Sequence, residues 1–280
     1  MPELPEVETV RRIMKRVLKG HKIAEVEIVP DDIVQGSTPP EAFVEALKGS
    51  AVTDVGRKGK YWWIELDGKT YLFGHLGMAG WIRELGAPTV RLREHGNAPL
   101  DDGNGRPRFL KMMLTAEDGR RIAFTDQRRL ARMWLGDDPA KDSRIKQLGF
   151  DCYDELPSAK ELGAILAKRT APIKAVLLDQ TVFAGVGNWI ADETLYHAKI
   201  APKRTADSLS AAEVSRLRGS LEMVVHTAVE AGADSDKYPA DWLFSSRWGG
   251  KKGRTEIDGK KIVREPVGGR TTAWVPSVQK

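Results

Sequence analysis

The chain has 280 residues, with 44 Lys and Arg against 39 Asp and Glu for a net charge of +5, and a single cysteine, Cys152. That length allows two modest domains, each with its own core. One cysteine excludes an intramolecular disulfide and a multi-cysteine zinc site, so Cys152 is expected as a small buried or linker side chain. No apolar run approaches a membrane span and no secretory signal precedes the first predicted helix, so a soluble intracellular protein is expected; the mild basic excess points weakly to a polyanionic partner.

The opening run Pro2-Glu3-Leu4-Pro5-Glu6-Val7-Glu8-Thr9-Val10 carries the most chemistry. Once Met1 is removed, Pro2 presents a secondary amine that can attack an aldehyde-like sugar carbon and form an iminium. Glu3 and Glu6 follow at proton-transfer range. Val7, Val10, Met14, Val17 and Leu18 mark the buried stripe of a helix reaching about Lys19. Its unpaired N–H groups would place positive potential beside the amine and favour the unprotonated form. Prolines and acidic residues also serve as an ordinary helix cap, and the run alone does not separate the two readings.

Lys22 to Val29 alternates as a strand, and Pro40 to Leu47 reads as a short helix. Strand-like runs follow at Ala51–Val55, Tyr61–Leu66, Thr70–His75, Trp81–Leu85, Phe109–Leu114, Arg121–Thr125 and Met133–Leu135. Asp67-Gly68 and Asp118-Gly119 are hairpin signals, whereas Gly86 to Pro107 reads as a long surface loop. The first half is thus an antiparallel sandwich or barrel with a leading helix. Three of its connections are chemically interesting. Gly56-Arg57-Lys58-Gly59-Lys60-Tyr61 is a basic turn whose lysine can bind phosphate or donate a proton, or simply be solvated. Gly74-His75-Leu76-Gly77-Met78-Ala79-Gly80 puts Met78 at a glycine-flanked tip, where an exposed apolar side chain can wedge into a base stack; His75 can make a local hydrogen bond or contact phosphate. Asp126-Gln127-Arg128-Arg129-Leu130-Ala131 offers two adjacent arginines as a phosphate clamp.

Helical periodicity dominates from Pro157: about Ser158–Lys168, Pro172–Leu178, Asn188–His197 and a long helix from Ser210 to about Ala231. Between two of these helices, Asp179 to Glu193 turns through Gly185 and Gly187, with Asn188 as a candidate cap and free N–H groups able to hold a phosphate. The expected fold is α+β: an N-terminal β-sandwich catalytic domain at 1–149, a helical domain at 157–246, and a β-hairpin finger at 247–280. A groove between sandwich and helices is the expected ligand site. The last 36 residues hold nine basic residues (Arg247, Lys251, Lys252, Arg254, Lys260, Lys261, Arg264, Arg270, Lys280) against Glu256, Asp258 and Glu265, a net of +6. Arg254–Ile257, Asp258-Gly259 and Lys260–Arg264 read as a hairpin, packed by Ile257, Ile262, Val263 and Trp274.

Taken together, these pieces resemble the formamidopyrimidine-DNA glycosylase / endonuclease VIII family, in five matches that run in order along nearly the whole chain. The opening is similar to the family's formamidopyrimidine branch; an endonuclease VIII-type opening usually has Gly where Leu4 stands. The resemblance implies a bifunctional DNA glycosylase and abasic-site lyase of base-excision repair, binding damaged duplex DNA as a monomer, with no cofactor, and acting at the nucleoid in a bacterium or in the nucleus or organelles of a eukaryote. It implies Pro2 as nucleophile, Glu3 as proton shuttle, Glu6 as support for the terminus, and Lys60 (Lys58 if the register differs) assisting sugar-ring opening before β,δ-elimination. His-Leu-Gly-Met is matched by His75–Met78. Asp-Pro-Arg-Arg-Phe-Gly is matched by the Asp126 segment, with Gln127 for Pro and Leu130 for Phe, which weakens recognition of the opposite base. Met78, Arg128 and Leu130 would hold the gap left by the extruded nucleotide. His75, Arg129, Asn188 and Arg270 would grip phosphates, Arg270 at the lesion and so counted with the catalytic residues, while Glu6 and Glu193, the latter matching the helix–two-turn–helix, are counted with the DNA-contacting ones. With no zinc-binding cysteines, the finger looks like the zincless finger of plant, fungal and some animal members. The Gly232–Trp248 segment is short where many relatives carry a loop over 8-oxoguanine, which favours ring-opened purines or further-oxidised guanine. The rival readings are an endonuclease VIII-type pyrimidine enzyme and a non-catalytic DNA-binding module.

Overall fold

A computed structural model of the chain describes residues 2–88, 99, 101–249 and 254–280. The chain divides into two compact units, one made of residues 1–147 with 232–235 and one of 148–231 with 236–280. Much of the long loop expected from Gly86 to Pro107, and Lys251 and Lys252 of the basic tail, lie outside the described residues.

In the first unit, α1 (Leu4–Leu18) is followed by β1 (Ile23–Ile28), a short α2 (Asp32–Gln35) and α3 (Pro40–Leu47). Seven strands complete it: β2 (Val52–Lys58), β3 (Tyr61–Leu66), β4 (Tyr71–His75), β5 (Gly80–Glu84), β6 (Leu110–Ala116), β7 (Arg121–Asp126) and β8 (Arg132–Gly136), and then a single turn of helix, α4 (Ser143–Lys146). They form two antiparallel four-stranded sheets, ordered β1-β6-β7-β5 and β2-β3-β4-β8. Burial alternates along β3 and β6, as expected when one face of each sheet meets the core. Val7, Val10, Met14, Val17 and Leu18 of α1 join that core with Trp62, Ile64 and Leu72 from one sheet and Ile82, Met112, Leu114 and Phe124 from the other.

β2 runs three residues beyond the strand expected to stop at Val55. Gly56 stays in the ladder because the Trp63 ring lies over it; a Cβ there would sit 2.3 Å from the indole. Gly74 makes the same space for Trp62 across the β3–β4 pair. The basic turn therefore shrinks to Gly59 and Lys60, with Gly59 left-handed at φ +56°.

The second unit contains the two-residue strands β9 (Phe150–Asp151) and β10 (Phe183–Ala184), which pair in parallel, and helices α5 (Ala159–Leu166), α6 (Ile173–Leu178), α7 (Asn188–Ala198) and α8 (Ala211–Glu230). α5 and α8 each start with a serine capping box, from Ser158 with Glu161 and from Ser210 with Glu213. Cys152 is buried in this unit. Two hairpins end the chain: β11 (Glu256–Ile257) with β12 (Lys260–Lys261), and β13 (Val263–Val267) with β14 (Arg270–Trp274). The first turns at Asp258-Gly259 as expected. The second, which turns through left-handed Gly268 and Gly269, is the longer of the two and was not foreseen. Ile257 and Ile262 pack with Leu243, Ala273 and Val275. Val263 and Trp274 stay outside that buried group; Trp274 instead donates its Nε1–H to Glu265 at 2.9 Å.

Candidate nucleic-acid interface and active site

The start of α1 is fixed by a reciprocal capping box. The Glu3 N–H donates to Glu6 Oε2 at 3.0 Å, and the Glu3 side chain accepts from the Glu6 backbone. Both carboxylates are buried. Pro2, directly ahead of the box, is buried too, and its nitrogen becomes an amine once Met1 is removed.

One turn further along, Glu8 accepts from Arg11, Arg12 and Arg57, the last at 3.1 Å. Arg57 also donates to the Gly59 carbonyl at 3.2 Å. The Glu8–Arg57 pair is thus a buried strut between α1 and the turn that holds Lys60, which is itself buried. Sequence reasoning missed this strut because its partners are 49 residues apart. Burial alone would raise the Glu8 pKa, but the bond and charge of Arg11, with Arg57 and Arg12, hold it at about 2. A carboxyl depressed from 4.5 contributes stability that is fully present above about pH 4.5 and lost as pH falls toward 2. Between about pH 6 and about pH 3 the wild type should lose about 2 kcal/mol through this group. Glu8→Gln, compared by urea midpoints, should lack that part of the slope; an unchanged slope would contradict the strut.

β4 delivers His75 opposite Tyr61 on one side and Arg132 on the other, with the Tyr61 and His75 ring centres 4.9 Å apart. Burial, with the charges of Lys60 and Arg132, pushes its pKa down to about 4, so the imidazole is neutral at pH 7. Nδ1 accepts the Gly77 N–H at 3.0 Å, which leaves Nε2–H as the donor. The local hydrogen bond and a phosphate contact are therefore compatible.

Beyond His75, Gly77 is left-handed and approaches the next loop so closely that a Cβ would stand 2.3 Å from the Leu130 carbonyl oxygen. Asp126 holds that loop, accepting from Arg128 N at 2.9 Å and Ala131 N at 2.7 Å. Met78 and Leu130, 41% and 38% exposed, are thereby brought to one place with exposed Arg128. Arg129 is different from its expected role. Its guanidinium binds Asp31 (3.0 Å) and Asp32 (2.7 Å), and Lys111 also binds Asp31, whose pKa is lowered despite burial by Arg129 and Lys111. Two carboxylates already occupy Arg129, so it anchors the loop instead of standing free to clamp phosphate.

In the second unit, Asn188 is the first residue of α7, not its cap; the cap position is Gly187 and no side chain caps it. The Asn188 amide instead donates to the Thr271 carbonyl at 3.0 Å, next to Arg270, which is exposed just past the Gly268-Gly269 turn. Gly268 sits against Ala175 of α6, where a Cβ would come within 3.0 Å. Glu193, expected at the DNA surface, is fully buried. Its carboxylate accepts from Leu243 N (3.0 Å) and Phe244 N (2.7 Å) and pairs with His197 (2.9 Å), so it is a structural anchor. Burial raises its pKa against those partners. The signal available in the sequence was its place in α7, a helix with apolar neighbours on nearly every face.

Two further groups were missed. Asp192 is buried between Lys174 and Arg247 (2.8 Å) and also accepts the Ala273 N–H at 3.2 Å, tying α6, α7, the 247 segment and β14 together. Arg264 donates to the carbonyls of Arg247 (3.0 Å), Ser246 (2.7 Å), Trp248 (3.1 Å) and Arg254 (2.5 Å). One guanidinium thus gathers the non-strand segment 246–248 and residue 254 ahead of the terminal hairpins. The segment from 238 to 244 is packed onto α7 by Trp189, Tyr238, Trp242 and Phe244. Among the described residues no cluster of His, Cys, Asp and Glu suits a metal, and no helix is long and apolar enough to cross a membrane.

Residues 1–133 match the formamidopyrimidine-DNA glycosylase N-terminal domain and residues 148–239 match the formamidopyrimidine-DNA glycosylase H2TH domain. A formamidopyrimidine-DNA glycosylase of Arabidopsis thaliana is 40% identical over 280 residues, covering 100% of this chain and 71% of its own. One from Pelotomaculum thermopropionicum is 32% identical, covering 100% and 99%. Among solved structures, the Lactococcus lactis enzyme bound to DNA containing an AP site aligns with TM-score 0.77 at 26% identity over 99% of both chains. The same enzyme with FAPY-dG DNA aligns with TM-score 0.79 at 25% identity, covering 99% and 100%. The chain belongs to the formamidopyrimidine-DNA glycosylase family.

Proposed function

We infer that this chain is a base-excision DNA glycosylase and abasic-site lyase that removes oxidised or ring-opened purines from duplex DNA. The observation that carries the catalytic assignment is the capped N-terminus of α1: Pro2 immediately before a buried Glu3–Glu6 capping box, braced through Glu8 and Arg57 to the turn of Lys60. With Met1 gone, the Pro2 nitrogen attacks C1′ as the C1′–base bond breaks, giving a ring-closed aminal; cleavage of the C1′–O4′ bond, with a proton delivered to O4′, then leaves the iminium. Glu3 carries protons between the sugar and the departing base, and Lys60 assists opening of the ring oxygen. Loss of a 2′ proton with elimination of the 3′ phosphate, then loss of the 4′ proton with elimination of the 5′ phosphate, cleaves the strand on both sides of the sugar. Hydrolysis of the iminium frees Pro2.

In this reading Met78, Arg128 and Leu130 fill the gap once the nucleotide is extruded. His75, through Nε2–H, Asn188 and Arg270 grip phosphates. Asn188 does so beside the amino end of α7. The finger is of the zincless kind, held by Arg264 and its carbonyl partners where relatives would use metal ligands. The site of action is wherever the cell keeps its DNA: the nucleoid of a bacterium, or the nucleus or an organelle of a eukaryote.

The aromatic packing of residues 238–244 leaves that segment committed to α7, which supports a preference for ring-opened or further-oxidised guanine over 8-oxoguanine. Single-turnover excision from duplexes carrying each lesion tests this. Faster release of the ring-opened base is expected, and a clear preference for paired 8-oxoguanine would reject it. Excision confined to oxidised pyrimidines would favour the endonuclease VIII-type reading.

A further inference from the structure

Three strands of the β1-β6-β7-β5 sheet end in one row. The Asp126 N–H donates to the Phe109 carbonyl at 3.0 Å, and Gly80 faces Asp126 across the β5–β7 pair. The segments leaving this row carry Arg108 and Phe109, Arg128 and Leu130, and Met78. Among the described residues the exposed large hydrophobic side chains are Ile33, Met78, Phe109, Leu130 and Met223. Three of the five therefore crowd one sheet end, which is not how isolated surface apolar residues scatter.

Phe109 is the odd member. It is 40% exposed and its φ is +58°, a left-handed conformation that bulky residues avoid and glycine adopts freely. Its ring is not part of the buried core of this unit, so core packing does not account for an aromatic there. Strain kept at an exposed aromatic is the mark of a residue selected for contact. The Arg108 guanidinium lies 5.6 Å from the ring centre, putting a cation beside a stacking face.

We propose that Phe109 is a further lesion-gap residue. Its ring stacks on the base orphaned by nucleotide extrusion, supplying the aromatic surface that Leu130 lacks, while Arg108 meets the neighbouring phosphate. This rests on the reading of Met78, Arg128 and Leu130 given above. Duplex DNA is the occupant because the patch is continuous with those residues and is flanked by Arg108 and Arg128.

The test uses the full chain with Met1 removed and Phe109→Gly, Phe109→Ala and Phe109→Trp variants. Duplexes carry a tetrahydrofuran abasic analogue opposite 2-aminopurine, or no damage. Phe109→Gly should melt at or above the wild-type temperature, because glycine relieves the left-handed backbone. It should bind the abasic duplex about tenfold more weakly, the scale of one lost base–aromatic stack, and leave 2-aminopurine unquenched. Phe109→Ala should show the same loss of binding and quenching. Affinity for undamaged duplex should stay within about twofold of wild type, and Phe109→Trp should restore both binding and quenching. Borohydride trapping on a separate duplex carrying a natural abasic site, at saturating enzyme, should persist in all variants. Unchanged abasic affinity and quenching in Phe109→Gly would overturn the proposal, as would an equal loss on undamaged DNA. A wild type that neither prefers the tetrahydrofuran duplex nor forms a borohydride-trapped adduct with the natural abasic-site duplex would overturn the underlying functional reading first.

Discussion

A chain that keeps Met1, or carries any residue ahead of Pro2, should form no covalent adduct with abasic-site DNA on borohydride reduction. Its strand cleavage should fall at least about a thousandfold, the scale seen when a covalent nucleophile is removed. An acylated proline nitrogen has no lone pair free to attack C1′, so the loss is chemical and does not depend on disturbing the fold. One structural feature sharpens this expectation. The Glu3–Glu6 box begins one residue later and does not need the free amine, so α1 and the core it feeds should persist. Affinity for a tetrahydrofuran duplex should therefore stay within a few fold of the processed chain, while chemistry disappears. A blocked chain that cleaves at full rate would remove Pro2 from the mechanism.

The largest structural effect is expected at Asp192. Its carboxylate is fully buried and serves Lys174, Arg247 and the Ala273 N–H at once. Removing it takes the shared carboxylate from two buried cations. Breaking such a buried arrangement typically costs about 3–5 kcal/mol, more than the intact cluster contributes over an apolar replacement. Asp192→Ala should lower the melting temperature by about 10 °C. It should also weaken binding of damaged duplex, because β14 loses the anchor beside Thr271 and Arg270. Asp192→Asn, which keeps the shape and one acceptor, should lose less. Calorimetry of the three proteins checks the order. A melting temperature for Asp192→Ala within about 2 °C of wild type would show that the cluster does not hold the terminal hairpin.

Local signals in the amino-acid sequence carried much of this fold. The Pro40–Leu47 helix lies where proline and apolar spacing place it. The turns at Asp118-Gly119 and Asp258-Gly259 close hairpins because their glycines sit at positive φ. What was illegible depended on distant partners. Arg129 looked like half of a phosphate clamp until Asp31, 98 residues away, was seen to hold it. Arg57 read as part of a solvated turn, yet it is buried against Glu8. Glu193 was taken for a surface contact, whereas the Leu243 and Phe244 amides bury it. The gap residues were recognisable by type, but only the close approach of Gly77 to Leu130 explains why two loops fifty residues apart present them together. Phe109 carried no sequence signal at all, because its left-handed backbone is a property of the folded sheet end.

The account depends most on which nitrogen bonds to the sugar. Reduction of the enzyme–abasic DNA complex with borohydride, nuclease trimming and peptide mass mapping would locate the adduct directly. The expected result is a deoxyribose remnant on an N-terminal peptide that begins at Pro2. A remnant on Lys60, on Lys58 or on any other lysine, or a peptide that still begins with Met1, would contradict it.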